Sequence, residues 1–326
     1  MVLRLFGKKR CANIVIKDHV IRYMEIRSSS PLSIRLQGER DLPSGIISEG
    51  HIVDKESLIL ILEECVEEWK IKGQDVRFIV PDSFVVIRTV EVPNEINDDE
   101  IKGYLYLELG TSIHLPFEDP VFDLFVLGTT ENKKNVLLFA APEQIVQDYV
   151  EVFEEVKLNP IVADISPLSI YRLYAKLDLA NPNDHLMVIQ FDLPMVNVSL
   201  FHDDKPLFMR HLVFDLNYSL WQKNYNGEYE WKGEQADLQA QMEDIFTEID
   251  RIMNFYRFSM QQGNQEVTKI LLTGDHPDLD NIKNRLVELY EVPIATIKDA
   301  TLVDSNSEEL HRKFHLALGL AMKEVN

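Results

Sequence analysis

Cysteine is nearly absent. Only Cys11 and Cys65 occur in 326 residues, too few for a disulfide framework, and no Cys-x-x-Cys pair exists for zinc or redox chemistry. Such a chain suits a reducing compartment. Basic charge is also short: 33 Lys and Arg stand against 54 Asp and Glu, a formal net charge of −21. There is no basic surplus to displace phosphate counterions. This argues against nonspecific binding to DNA or RNA and against a wide footprint on an anionic membrane. Long apolar runs are missing as well. The longest, Val136 to Ala141, has the length of a strand, far from the roughly 18 residues of a membrane span. Arg4, Lys8, Lys9 and Arg10 make a basic start, but Ile14 to Ile16 ends at Lys17-Asp18 before a signal-peptide core develops. That basic end reads as solvated charge ahead of the first strand, with a weak touch on a membrane surface as the alternative.

What is present suffices for real cores. Hydrophobic residues are 45% of the chain, and its length allows two domains or one bilobed fold. Hydrophobic periodicity supplies the plan. Asn13 to Ile16, Val20 to Arg27 and Leu32 to Leu36 read as an antiparallel meander with short turns. Asp54 caps a helix whose apolar face is Leu58, Ile61, Leu62, Cys65 and Trp69, with Val53 and Leu58 at staple spacing. Val76 to Val80 is an apolar strand. The same β-β-β-α-β unit recurs in Leu186 to Phe191, Met195 to Phe201, Leu207 to Val213, a helix carrying Ile245, Ile249 and Ile252, and Lys269 to Thr273. The repeat predicts a duplicated, two-lobed α/β fold.

Between the copies lies an α-β-β-α-β block. Its first helix is expected to start at Asn97, with Glu100 completing a capping box and Ile96 stapling to Ile101. The expected organisation is a first lobe (1–90), an inserted α/β subdomain attached to it (91–163), a return helix of the first lobe (164–182), a second lobe (183–303), and a C-terminal amphipathic helix (304–326) packing back on the first lobe.

This plan resembles the actin and hexokinase superfamily, with its ribonuclease-H-like sheets. Within it the chain is similar to the PilM family of type IV pilus assembly proteins, and more distantly to FtsA. The likeness spans nearly the whole sequence. It is carried by Leu5-Phe6-Gly7-Lys8-Lys9, Pro43 to Ile47, Gly50 to Asp54, Phe78 to Arg88, Leu115-Pro116-Phe117, Ala140-Ala141-Pro142, Ala163 to Leu168, Asp203 to Phe208, Asn254 to Arg257, Ile270 to Gly274 and Leu318 to Ala321. The order and spacing of these pieces are more specific than any one of them.

The superfamily's fold implies ATP held by Gly-bearing loops and Mg²⁺ held through loop Asp residues. Here the first loop reads Asn13-Ile14-Val15-Ile16-Lys17-Asp18, with Val15 in place of the acid and Asn13 and Lys17 in place of glycines. The second reads Gln190-Phe191-Asp192, and the third Thr273-Gly274-Asp275-His276, where only Gly274 keeps the pattern. Three losses together argue against a working ATPase, so neither ATP nor Mg²⁺ is expected. The alternative lets Lys17 meet a phosphate, with Asp18, Asp192 or Asp275 holding Mg²⁺. The resemblance further implies a cytoplasmic scaffold at the inner face of the membrane, among other pilus assembly components. It would bind the N-terminal tail of a single-span partner, PilN, in a groove between the first lobe and the insert. The residues singled out for that groove are Phe84, Val86, Arg88, Tyr104, Glu108, Leu115 and Phe117. Rival readings are an ATPase or kinase with altered loops, and a GspL-like secretion component. The aromatic stretch 217–235 reads either as a loop packing on itself or as a docking loop. His311 and His315 lack a third ligand and read as helix histidines rather than a metal site.

Overall fold

A computed structural model describes residues 10–297, 302–304, 306 and 308–324, apart from Pro194 and Asn226. The stretch from Leu5 to Lys9 lies outside the described residues. In chain order the elements are β1 (Cys11–Lys17), β2 (Val20–Ser29), β3 (Leu32–Asp41), β4 (Ile47–Ser48), β5 (His51–Ile52), α1 (Lys55–Glu68), β6 (Asp75–Ile79), β7 (Val86–Pro93), α2 (Ile101–Glu108), β8 (Pro120–Thr129), β9 (Lys133–Pro142), α3 (Glu143–Glu155), β10 (Asn159–Asp164) and α4 (Ser166–Lys176). They continue with β11 (Leu186–Phe191), β12 (Met195–His202), β13 (Lys205–Val213), β14 (Trp221–Lys223), β15 (Tyr229–Trp231), α5 (Gln235–Asn254), β16 (Lys269–Thr273), α6 (Leu279–Leu289), β17 (Ile294–Ala295) and α7 (His315–Ala321).

Two five-stranded sheets share one plan. The first runs β3-β2-β1-β6-β10 and the second β13-β12-β11-β16-β17. In each, three antiparallel strands lead into two parallel ones. The duplicated unit predicted from periodicity is therefore present, with Val15 and Gln190 on the first strands of matching sheets. The central strands are buried on both faces, which is why Leu186–Phe191 reads as an unbroken apolar run around Gln190.

The chain divides into two compact units: Met1–Pro81 with Gln144–Leu173 and Asp299–Asn326, and Asp82–Glu143 with Tyr174–Lys298. This corrects the expected insert. The 91–163 block is not one subdomain. Its last strand, β10, pairs parallel to β6 in the first sheet. Its second helix, α3, buries Tyr149 and Phe153 against Phe78, with ring centroids 6.4 and 5.3 Å apart, and Tyr149 Oη donates to the Gly50 carbonyl at 3.0 Å. The remainder forms a separate sheet, β7-β9-β8, within the second unit. A polar relay joins it there: Asn197 Nδ2 of β12 donates to Asp82 Oδ2 at 2.6 Å, and Asn197 Oδ1 meets His211 Nδ1 of β13 at 2.7 Å. Local periodicity marks a strand but not the sheet that it joins.

Helix ends differ in instructive ways. Asp54 caps α1 as expected, accepting from the Ser57 N–H at 3.0 Å, but Val53 is exposed and staples nothing. At α2 only half of the capping box forms. Glu100 Oε2 accepts from the Asn97 N–H at 3.2 Å and from its amide Nδ2 at 2.8 Å, and helix begins at Ile101 rather than Asn97. The C-terminal helix is not amphipathic: every residue of α7 is buried. A Cβ on Gly319 would lie 2.0 Å from the Ser169 carbonyl oxygen, so α7 approaches α4 as only glycine permits. Arg172 Nη1 and Arg77 Nη1 donate to the carbonyls of Gly319 and Ala321, at 2.7 and 3.2 Å, and satisfy the helix end.

Burial of His315 at the start of α7 has a consequence in acid. Desolvation, reinforced by His311 and Arg312, lowers its pKa from 6.5 to about 3. The unfolded chain takes up a proton near pH 6.5 that the folded chain refuses until about 3. Stability is therefore full above that window and falls as pH drops through it, by about 1.4 kcal/mol per pH unit. Unfolding free energies measured from pH 6.5 to 4 should show one proton less of slope in His315→Asn, and an unchanged slope would refute this account.

Candidate functional site

The separate sheet of the second unit carries one face of interest. Register places Val86, Ala140 and Phe122 on a common face, followed by Arg88, Leu138 and Leu124, and then Val90, Val136 and Val126. Helix α2 covers this face with Ile101 and Leu105. A helix of this amphipathicity buries only one stripe. Leu105-Tyr106-Leu107 therefore cannot all turn inward, and Tyr106 and Leu107 are 65% and 78% exposed. After α2 the chain turns at Gly110, whose φ of +80° favours glycine, and the N–H groups of Thr111, Ser112 and Ile113 all return to the Glu108 carbonyl. Ser112 Oγ donates to the Glu108 carboxylate. The following loop borders a recess of about 600 Å³ lined by Tyr106, Leu109, Ile113, Leu115, Pro116 and Phe117, among others. Arg88 Nη1 donates to the His114 carbonyl at 2.8 Å and ties β7 to the rim.

The three loops that the resemblance sets against phosphate loops hydrogen-bond to neighbouring protein groups. In the first unit, Asp18 accepts from the N–H groups of Glu49 and Gly50 at 2.7 and 3.0 Å. The Asn13 amide donates to the carbonyls of Cys11 and Met24, at 3.2 and 2.9 Å, so it braces β1 against β2. Val15 is buried. In the second unit, Asp192 is 1% exposed, and its carboxylate accepts from Gln190 Nε2 and from the Asp275 N–H, the latter at 3.2 Å. Asp275 Oδ1 accepts from the Leu193 N–H at 3.1 Å. Gly274 is held by close packing: a Cβ there would lie 1.9 Å from the Phe191 carbonyl oxygen. His276 is buried against Phe191, Phe214 and Trp221, with ring centroids 5.7, 6.1 and 5.3 Å away.

Residues 14–325 match the profile of a family described as type IV pilus assembly protein PilM. The chain belongs to the PilM family. Solved structures agree on the fold. One is described as a PilM–PilN type IV pilus biogenesis complex: it is 18% identical, with a TM-score of 0.76, and 97% of this chain and 98% of that one are covered. Another is the ethanolamine utilization protein EutJ from Carboxydothermus hydrogenoformans, 8% identical, TM-score 0.53, covering 98% and 92%. A third, the cytoplasmic domain of EpsL from Vibrio cholerae, reaches 0.48 at 10% identity, covering 98% and 97%, too distant to argue from. The fold is the duplicated actin-like one of the PilM family.

Within this PilM-family chain, the sequence-chosen groove residues separate. Leu115 and Phe117 line the recess, and Arg88 braces its rim. Tyr104 packs into the core beneath α2, Glu108 closes the turn, and Phe84 and Val86 lie at the leading end of β7, off the recess lining. Tyr106, Leu107 and, on the sheet's opposite face, Phe125 were not singled out from sequence. Their signal was available: four consecutive apolar residues on one helix, Tyr104 to Leu107, and an apolar residue on the outward-facing alternation of β8. The aromatic stretch 217–235 contains the hairpin β14–β15, in which the rings of Trp221 and Trp231 meet at a tilt with centroids 5.5 Å apart. Trp221 is buried against His276 while Tyr225 is fully exposed, so the segment packs on the third loop. No helix among the described residues is long and apolar enough to cross a membrane.

Proposed function

We propose that this PilM-family chain is a cytoplasmic, non-hydrolysing scaffold of a type IV pilus assembly machine. In this reading it is recruited to the inner face of the membrane by the N-terminal tail of a single-span, PilN-like protein. The observation that carries it is the recess lined by Tyr106, Leu115, Pro116 and Phe117, with Leu107 exposed on the same helix, in a member of a pilus assembly family. Apolar anchors of this kind seat the aliphatic and aromatic side chains of a partner peptide. The partner named in the description of the similar complex is the partner proposed here. Calorimetry with the N-terminal tail of the PilN-like protein of the same cell tests it. Tyr106→Ala or Leu115→Ser should weaken binding by about 30-fold, the effect of losing a buried anchor worth about 2 kcal/mol. Equal affinities for wild type and both variants would remove the recess from the proposal.

The absence of hydrolysis rests on Asp192 and Asp275, whose carboxylates already serve their own loops, and on the rings packed around His276. Millimolar Mg-ATP is expected to leave Tm unchanged. A ligand at a hundredfold excess over Kd would add about 2.7 kcal/mol. That corresponds to a rise of several degrees. Such a rise, abolished by Lys17→Ala, would move an ATPase reading ahead of the scaffold.

A further inference from the structure

In a chain of net charge −21, the first unit holds a basic recess at the starts of β1 and β6. Its volume is about 470 Å³. Five cations line it, Arg10, Arg27, Arg35, Arg77 and Lys323, against two carboxylates, Glu25 and Glu324. Glu25 is already neutralised. Arg10 donates to both its oxygens at 2.8 Å, Arg35 stands 3.3 Å away, and Tyr23 Oη adds a bond at 2.8 Å. Lys323 is paired with Asp164. Arg27 and Arg77 have no carboxylate partner among the described residues.

Two buried polar atoms in the lining are also unsatisfied. Asn13 is 2% exposed, and its amide nitrogen is committed to the carbonyls of Cys11 and Met24, which fixes the amide and leaves Oδ1 without a donor. Arg77, its neighbour across the β1–β6 ladder, gives Nη1 to Ala321, but its buried Nε has no acceptor. Buried groups without partners are costly, so a ligand that satisfies both gains their desolvation cost. The recess thus asks for an N–H donor and a carboxylate side by side. A peptide with acidic side chains offers both, whereas inorganic phosphate ions present chiefly acceptors.

We propose that this recess binds an acidic peptide segment of a partner protein, a backbone N–H donating to Asn13 Oδ1 and acidic side chains meeting Arg77 and Arg27. The site lies wholly within the first unit and is independent of the apolar recess on the second.

The test is fluorescence anisotropy on the full chain with a labelled, amidated Gly-Asp-Glu-Asp-Gly peptide, its Gly-Asn-Gln-Asn-Gly counterpart, and pyrophosphate as competitor. The acidic peptide should bind, and its amide counterpart should bind at least about tenfold more weakly. Affinity should fall as salt rises from about 50 to about 300 mM. Pyrophosphate should not displace the peptide. Arg77→Gln should weaken binding about tenfold, the loss of a charge-assisted bond. Arg77 also supports α7, so Arg27→Gln is the companion variant: Arg27 is exposed, and its change should weaken the peptide with Tm unaltered. The proposal fails if the acidic peptide does not bind, if it binds equally to wild type and to Arg27→Gln and Arg77→Gln, or if pyrophosphate displaces it. The last result would make the recess a simple anion site.

Discussion

Gly274→Ala is expected to destabilise the protein by about 4 kcal/mol and to lower Tm by on the order of 10 °C. The added methyl would lie 1.9 Å from the Phe191 carbonyl oxygen, 2.5 Å from its carbon and 2.8 Å from its nitrogen. These are backbone atoms of β11, fixed by pairing to β12 and β16, so no side-chain rotation relieves the clash. The φ of +131° at Gly274 adds strain for any L side chain. The same loop holds the Asp192–Asp275 contact, and the His276 N–H donates to the Phe191 carbonyl at 3.1 Å, so a displaced Phe191 weakens several bonds together. Denaturant unfolding that places Gly274→Ala within about 1 kcal/mol of wild type would contradict this packing.

Asp164→Ala should cost about 3 kcal/mol, the scale of removing one member of a buried charge network. Asp164 is 2% exposed at the end of β10. Its Oδ2 accepts from Ser169 Oγ and Arg172 Nη2, and its Oδ1 from Lys323 Nζ, each at 3.0 Å. One carboxylate thus joins the first sheet, α4 and the segment after α7. Burial alone would raise its pKa, but Arg172 and Lys323 hold it below the ordinary 3.8. A depressed carboxyl stabilises the fold above its unfolded pKa, and that stability is lost as pH falls through the folded value. The Asp164 contribution is therefore complete above about pH 4 and declines as pH falls below it, in a lower window than that of His315. Urea unfolding at pH 7 and near pH 3 checks both points. The variant should differ from wild type at neutral pH and much less in acid. Equal stabilities at pH 7 would dismiss the network.

The order of strands was legible because alternation and apolar runs are local. Leu186–Phe191, Met195–His202 and Lys269–Thr273 appear in the structure close to where their periodicity puts them. The helix ends were less so. Asn97 has the residue type and spacing of a cap, yet its amide donates to Glu100 instead of accepting from the helix, a choice between two local bonds of similar strength. The recess beside α2 was half visible. Leu115 and Phe117 came from resemblance, while Tyr106 and Leu107 needed the question of which residues a single buried stripe must leave outside.

By itself, the sequence determined the repeated β-β-β-α-β unit, the lack of a basic surplus, and the residues of the three loops, in which Gly274 is the one glycine. Each of these is a property of residue type and near-neighbour spacing. Only the tertiary structure decided that β10 joins β6, that the β7-β9-β8 sheet belongs with the second unit, and that α7 is buried all round. Those outcomes depend on contacts between residues far apart in the chain, such as Asp82 with Asn197 and Ser169 with Gly319, where packing and hydrogen-bond satisfaction select among pairings that local pattern leaves equivalent.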